Sequence, residues 1–351
     1  MISRPALRID HMNRLNLFIL VLLLTACNPA SASPAVTASS PEASPVPTST
    51  ATATPLPDTP LGTEENPIVL SLLPSTGREV PESALDLTAQ LSHLTGLVIV
   101  PFAPASYSEV LDALADGRVH IAWLPPFPYL LAHKQGNADA ALATLVLGQD
   151  LSAAQFLVNW QMVEQRIFTV YYDSATGSNL AEAASALQQF KDKKPCWTDP
   201  FSPTGYVVPL GLLNQNGIQT KTGAFVQGHA TVIKSLYADP DGEICQFGVT
   251  IADGQVFIAA GYEDAADKVV VVWKTEPMVP FDGVSYAPGL SDEMRVSITS
   301  AFLSMIQTEE GNAVLRDTYQ IDGLKLIDDT FYDALRNMLE ASGLDLSSLV
   351  R

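Results

Sequence analysis

Basic residues are scarce in this chain. Nineteen Lys and Arg stand against 38 Asp and Glu, a formal net charge of −19. Binding to DNA or RNA draws on Lys and Arg to neutralise phosphates, so no nucleic-acid partner is expected. Cysteine is scarcer still. Three cysteines exclude a disulfide-dense scaffold and any four-cysteine zinc site. The five histidines, at 11, 93, 120, 133 and 229, have no metal-ligand spacing, so no metal is expected. G-x-G-x-x-G, P-loop, H-E-x-x-H and C-x-x-C motifs are all missing, and no cofactor is expected. The nearest approach to a nucleophile elbow, Gly283-Val284-Ser285-Tyr286-Ala287, lacks the closing glycine. Asp328-Asp329 is a carboxylate pair where a helix N-terminus favours acids. The charged fraction is 16% and the apolar fraction 47%, which excludes intrinsic disorder for most of the chain and supplies ample core. A length of 351 residues accommodates two folded units or one large one.

Long apolar runs are equally few. The longest, Leu15 to Leu24, follows arginines at 4, 8 and 14 and is about half the ~20 residues a spanning helix needs. A positive segment followed by a short apolar one reads as an export signal. Leu24-Thr25-Ala26-Cys27 follows it. Small residues before a cysteine at that point look like a bacterial lipobox, with Cys27 as the lipidated residue. A signal anchor with an incidental cysteine is the other reading, and Met12 is a second possible start. Eight of the next 33 residues, 28 to 60, are proline, and the rest are mostly Ser, Thr and Ala. Such a stretch buries too little to fold and reads as a semi-extended spacer. We therefore expect a signal over 1–27, a linker over 28–65, and a folded body from residue 66.

The body opens with alternating signals. Ile68–Leu73, Leu97–Val100 and Val119–Leu124 read as buried strands. Pro81–Thr95 and Tyr107–Asp116 carry apolar residues at helical spacing, each closed by a glycine. This β-α-β-α-β order predicts a parallel sheet with right-handed crossovers. Ligands of such sheets bind beyond the carboxyl ends of the strands. Ile167–Tyr172, Pro195–Thr198, Cys245–Ile251 and Val269–Trp273 read as further strands. Leu180–Phe190 and Val207–Asn214 read as helices, as do three segments in the last ~60 residues.

The segment from Asp199 to Asn214 carries the most chemistry. A strand feeds a loop in which Ser202-Pro203 opens a helix, serine being favoured at the N-cap and proline at the first helical position. Free N–H groups at such an end, with the helix dipole, suit an anion. Hydroxyls of Ser202 and Thr204 add donors, and Gly205 would let a ligand approach the backbone. Ordinary helix capping explains the same residues. Pro209 implies a kink, or a helix that starts later.

Asn66-Pro67-Ile68-Val69-Leu70, Tyr107-Ser108-Glu109-Val110-Leu111, Gly117 through Ala132, Asp199-Pro200 through Tyr206, Gly228-His229-Ala230-Thr231, and Trp273 through Pro280 occur in an order and spacing that resembles one family. It is that of the substrate-binding proteins of phosphonate-, phosphite- and phosphate-type ABC importers. The resemblance covers about 280 residues. It implies an α/β fold of the type II periplasmic binding protein kind, two lobes, each a mostly parallel sheet flanked by helices, and two hinge crossings. Lobe one would comprise 66–150 and 276–351, lobe two 151–275, with crossings near Asn159 and Pro277.

By the same resemblance Tyr107, Tyr129, Ser202, Thr204, Gly205, Tyr206 and His229 form the ligand site. Taken alone, Tyr129 also reads as a core aromatic, Tyr107 as a packing residue and His229 as a satisfied histidine. Cys196 and Cys245 fall in lobe two, near each other in the family fold. A disulfide between them is implied, two buried thiols being the alternative. The sequence departs from the family at Ser202-Pro203-Thr204-Gly205 and at Pro125-Pro126-Phe127-Pro128-Tyr129. Where the family has an acidic residue, Cys245-Gln246-Phe247-Gly248 stands, Asp253 being the nearest carboxylate.

The implied function is a solute-binding protein of an ABC importer. It would be exported, held to the outer face of the bacterial cell membrane by its lipid alone, and monomeric. Its partners would be a small anionic ligand, the permease and its ATPase, and it would perform no chemistry. A sensory lipoprotein partnering a membrane signalling protein is the alternative, and a hydrolase on an α/β scaffold a third reading.

Overall fold

The computed structural model describes residues 59–351. The signal, Cys27 and most of the linker lie outside the described residues. Strand β1 (Ile68–Ser71), helix α1 (Glu82–Thr95), β2 (Ile99–Phe102), α2 (Tyr107–Ala115), β3 (Ile121–Leu124), α3 (Pro126–Lys134) and β4 (Asp139–Leu145) come first. Then follow β5 (Leu151–Ser152), β6 (Ala154–Asn159), α4 (Trp160–Glu164), β7 (Tyr172–Asp173), β8 (Ser178–Asn179), α5 (Ala183–Ala186), β9 (Pro195–Trp197), α6 (Val208–Gln215) and β10 (Ala224–Phe225). The chain continues through α7 (His229–Ala238), β11 (Phe247–Ile251), α8 (Gln255–Ala259), α9 (Ala265–Lys268), β12 (Val269–Lys274), β13 (Val279–Pro280) and β14 (Gly283–Tyr286). It ends in α10 (Asp292–Ile306), α11 (Glu309–Tyr319), β15 (Gly323–Leu326) and α12 (Asp333–Ser342).

Two sheets result. The first runs β15-β4-β14-β3-β1-β2 and the second β10-β9-β11-β6-β12. The β-α-β-α-β segment gives the parallel pairs β1–β2 and β1–β3. The rest of the first sheet is antiparallel, because β14 and β15 return from the far end of the chain. In the second sheet β9 pairs parallel with β10 and β11, while β6 pairs antiparallel with β11 and β12. Both sheets are therefore mixed. The run 167–172, expected as a strand, contributes only Tyr172 to the small β7/β8 hairpin. Phe168 instead buries its ring against Phe190.

Strand periodicity distributes the core to both faces of each sheet. In β6, Ala154, Phe156 and Val158 join Phe190, Phe247 and Val272. Leu157, between them, packs on the opposite face with Cys196, Val232 and Leu236. In the first sheet, Ile68 and Leu70 meet Leu87 and Leu91 of α1 and Phe302 of α10. Ala122 and Leu124 face α2, α3 and α12 through Val110, Leu130 and Leu335. Cys196 and Cys245 form a disulfide that ties β9 to the approach of β11.

The chain passes from the first sheet to the second through β5 and returns through β13, and these two short strands pair antiparallel. Asn159, expected to mark a crossing, stands instead at the end of β6, where it caps α4 and donates to Leu236 O. Residues 59–65, read as linker, are held by the body. Val98 N–H donates to Gly62 O, and Leu61 packs against the first core. Gly62 has φ +87°, and a Cβ there would meet Leu97 at 2.8 Å. Helix α6 leaves the second sheet and lies against α12. Gly211 approaches so closely that a Cβ would sit 2.2 Å from Met338 O.

Candidate ligand-binding site

A cavity of about 400 Å³ opens between the parts of the chain that carry the two sheets. Tyr107 and residues 125–128 bound it from the first side; Phe201, Pro203, Thr204 and Ile251 face them from the second. Val279–Asp282, in and just after the return crossing, line it too, and residues 349–351 close a further side.

Local chemistry explains how Tyr107 reaches the cavity. Ser106 is extended and its Oγ accepts the Glu109 N–H at 3.2 Å, so α2 starts at Tyr107. Glu109 in turn accepts the Ala105 N–H at 2.8 Å. Burial, with the nearby Asp282 carboxylate, pushes the Tyr107 hydroxyl above its ordinary range. It therefore enters any ligand contact as a neutral donor.

Thr204 sits in an unusual turn. Residues Pro203–Val207 form a π-turn ahead of α6. Pro209 has no N–H to give to Gly205 O four residues back, and Thr198 N–H donates to that carbonyl instead, at 3.4 Å. Ser202 is the N-cap, its Oγ accepting the Gly205 N–H at 3.0 Å. Tyr206 and Val207 N–H both donate to Ser202 O. Pro203 has no N–H, which leaves the Thr204 amide as the turn's unused donor. The anion site expected of a whole helix end thus narrows to the amide and hydroxyl of Thr204. Gly205 has a different role from the one expected. A Cβ on it would lie 2.1 Å from Thr198 Oγ1, so the glycine admits Thr198 rather than a ligand. Tyr206 packs edge-on against Trp197 and Phe225.

His229 begins α7 and its Nδ1 accepts the Ile251 N–H at 3.0 Å. Burial pulls the imidazole below its ordinary value, against an opposing pull from Asp199. The ring is therefore neutral at pH 7, and its proton is assigned to Nε2, which becomes a donor. Ile251 itself borders the cavity.

Tyr129 is not brought to the cavity. Helix α3 begins at Pro126, and three residues on Tyr129 is fully buried, its hydroxyl donating to Asp329 Oδ1 at 2.7 Å. Its ring lies 4.1 Å from that of Tyr332. The prolines before it, not the tyrosine, face the ligand space.

Two charged residues bordering the cavity escaped the sequence reading. Asp282 follows the quoted Pro277–Pro280 segment, and burial pushes its carboxyl up to about 6. Arg351 carried no local signal at all.

The chain is similar to known proteins across most of this architecture. Residues 71–332 match the family described as "ABC transporter, phosphonate, periplasmic substrate-binding protein". The phosphate-import protein PhnD of Mycolicibacterium smegmatis is 22% identical over 296 residues, covering 79% of this chain and 86% of that one. Among solved structures, XAC2383 from Xanthomonas citri, bound to chloride ion, superposes with a TM-score of 0.58 at 14% identity, over 79% of this chain and 97% of that one. PhnD1 from Prochlorococcus marinus, in complex with methylphosphonate, gives 0.51 at 14% identity, over 77% and 95%. The fold is that of the type II periplasmic binding proteins, and the chain belongs to the phosphonate-binding family of ABC-transporter periplasmic substrate-binding proteins.

Proposed function

We propose that this chain is a lipid-anchored extracytoplasmic binding protein that captures a small oxyanion of the phosphate, phosphite or phosphonate kind between two closing lobes. As a family member it serves an ABC importer by binding and releasing its ligand, without chemistry. One observation carries the finer reading: a single cavity is walled by Tyr107 from one side and Thr204 from the other. The lobes would be 66–150 with 276–351, and 151–275; the two sheets and the β5/β13 crossing support that division.

Capture follows from the chemistry of the walls. Tyr107 Oη, Thr204 Oγ1 and the Thr204 N–H are neutral donors suited to phosphoryl oxygens, and His229, behind Ile251, would add its Nε2 on closure. The prolines and phenylalanines around them exclude water on closure, which strengthens each polar contact. A ligand held by both walls favours the closed state by its extra contacts there, and the permease reads that state. Ser202, Gly205 and Tyr206 shape the turn that presents Thr204, and Tyr129 braces α3 from behind. Anchoring rests on the lipobox at Cys27 and the proline-rich spacer after it.

A thermal-shift screen tests the ligand class. Phosphate, phosphite, methylphosphonate, methanesulfonate and ammonium salts are compared at equal ionic strength. A ligand at 100 times its Kd adds about 2.7 kcal/mol. A phosphorus oxyanion is expected to raise the midpoint most. A response confined to methanesulfonate or to cations contradicts the reading.

A further inference from the structure

The donors assigned so far are neutral, yet one cationic side chain also borders the cavity. Among the described residues, Arg351 has the single basic side chain lining it and Asp282 the single acidic one. The Arg351 guanidinium lies over the Phe201 ring, Cζ 3.5 Å from the centroid. It forms no ion pair with any described carboxylate. Its main chain is fixed: Arg351 O accepts the Tyr107 N–H at 2.9 Å and the Ser108 N–H at 3.4 Å, at the first turn of α2. Two residues earlier, Leu349 is buried in the core beneath α3 and α12. The segment 346–351 is thus anchored on the first-sheet side, and Arg351 reaches from there to Phe201 on the opposite wall.

A guanidinium held over a ring by its central carbon keeps N–H groups free to bond a ligand. That geometry suits two parallel bonds to a tetrahedral oxyanion. The amides at the start of α2 are spent on Arg351 O, so this helix end acts on a ligand by positioning Arg351 rather than by direct contact. Arg351 is itself exposed, so in the absence of ligand its guanidinium keeps its water, and the charge acts on an anion chiefly through direct bonds.

We propose that Arg351 is an anion-holding residue of the cleft, its guanidinium bonding two oxygens of a phosphate- or phosphonate-class ligand seated between Tyr107 and Thr204. This rests on the oxyanion reading above. Calorimetric titration of the full chain, Arg351→Gln and Arg351→Lys with inorganic phosphate and with methylphosphonate tests it. The glutamine variant is expected to bind at least about tenfold more weakly with an unchanged melting midpoint in the absence of ligand, and the lysine variant to recover part of the loss. If the parent binds and Arg351→Gln matches it within about twofold, Arg351 is not a ligand contact and only this proposal falls. Tighter binding by Arg351→Gln also overturns it, since the 346–351 segment would then be competing with the ligand. If the parent binds neither probe, the oxyanion reading itself fails, and this assignment with it.

Discussion

Gly205 and Asp282 each make a claim at the scale of single residues. Gly205→Ala would drive a methyl into Thr198, whose Oγ1, Cγ2 and Cβ all lie within 2.8 Å of the new atom. Overpacking of this kind typically costs about 1–3 kcal/mol. We expect Gly205→Ala to lower stability by that order and to displace Thr204. Adding Thr198→Ala, which removes two of the three clashing atoms, should restore part of it; chemical denaturation of the four proteins of that cycle measures the coupling. Asp282 has a folded-state pKa raised to about 6, above its unfolded value near 3.8. The stability it contributes is therefore full below about pH 3.8 and is lost as pH rises to about 6, by roughly 2–3 kcal/mol. Asp282→Asn should flatten that slope, seen as unfolding midpoints across pH 4–7. A slope identical in the two proteins would place the titration elsewhere. An anion beside this carboxyl favours its protonated form, so binding of the oxyanion should take up protons near neutral pH.

Helices and strands show where sequence reading succeeds and where it stops. The β1-α1-β2-α2-β3 segment was legible because each strand is a short apolar run and each helix keeps a 3.6-residue stripe. Helix α3 was not, since Pro125, Pro126 and Pro128 obscure a helix that in fact begins with proline at its first position. The 167–172 run has strand composition, but Phe168 finds a better partner in Phe190 than in a neighbouring strand. Within the candidate site, Thr204 was legible from the helix start at Ser202-Pro203 and from family resemblance, Tyr107 from the resemblance alone. Asp282 and Arg351 were not, because nothing local announces that residues so distant in sequence converge on one cavity. The disulfide depends on the same convergence of β9 with β11. It closes a loop with a sequence separation of 49 residues, and on the chain-entropy model should contribute about 4 kcal/mol. Reduction, or Cys196→Ala with Cys245→Ala, should lower stability toward that extent. Two thiols titrating in the unfolded, unreduced protein would refute the pairing.

At the scale of the whole molecule, an acidic chain is asked to hold an anion. The net charge of −19 is spread over the surface and screened within about 8–10 Å at ordinary salt, whereas the cleft gathers oriented neutral donors among prolines and phenylalanines, with one guanidinium at its edge. Local field outweighs diffuse charge there. The two sheets, joined by β5 and β13 and touching again where α6 meets α12, set the cavity between them. On the proposed function, a phosphorus oxyanion is gripped from both walls at Tyr107 and Thr204. Calorimetric titration of the intact chain, Tyr107→Phe, Thr204→Ala and Tyr129→Phe with methylphosphonate and with phosphate tests it most directly. One-to-one binding is expected, weakened about tenfold or more by Tyr107→Phe and by Thr204→Ala and unchanged by Tyr129→Phe. Binding that is indifferent to both wall substitutions, or lost only with Tyr129→Phe, would contradict it.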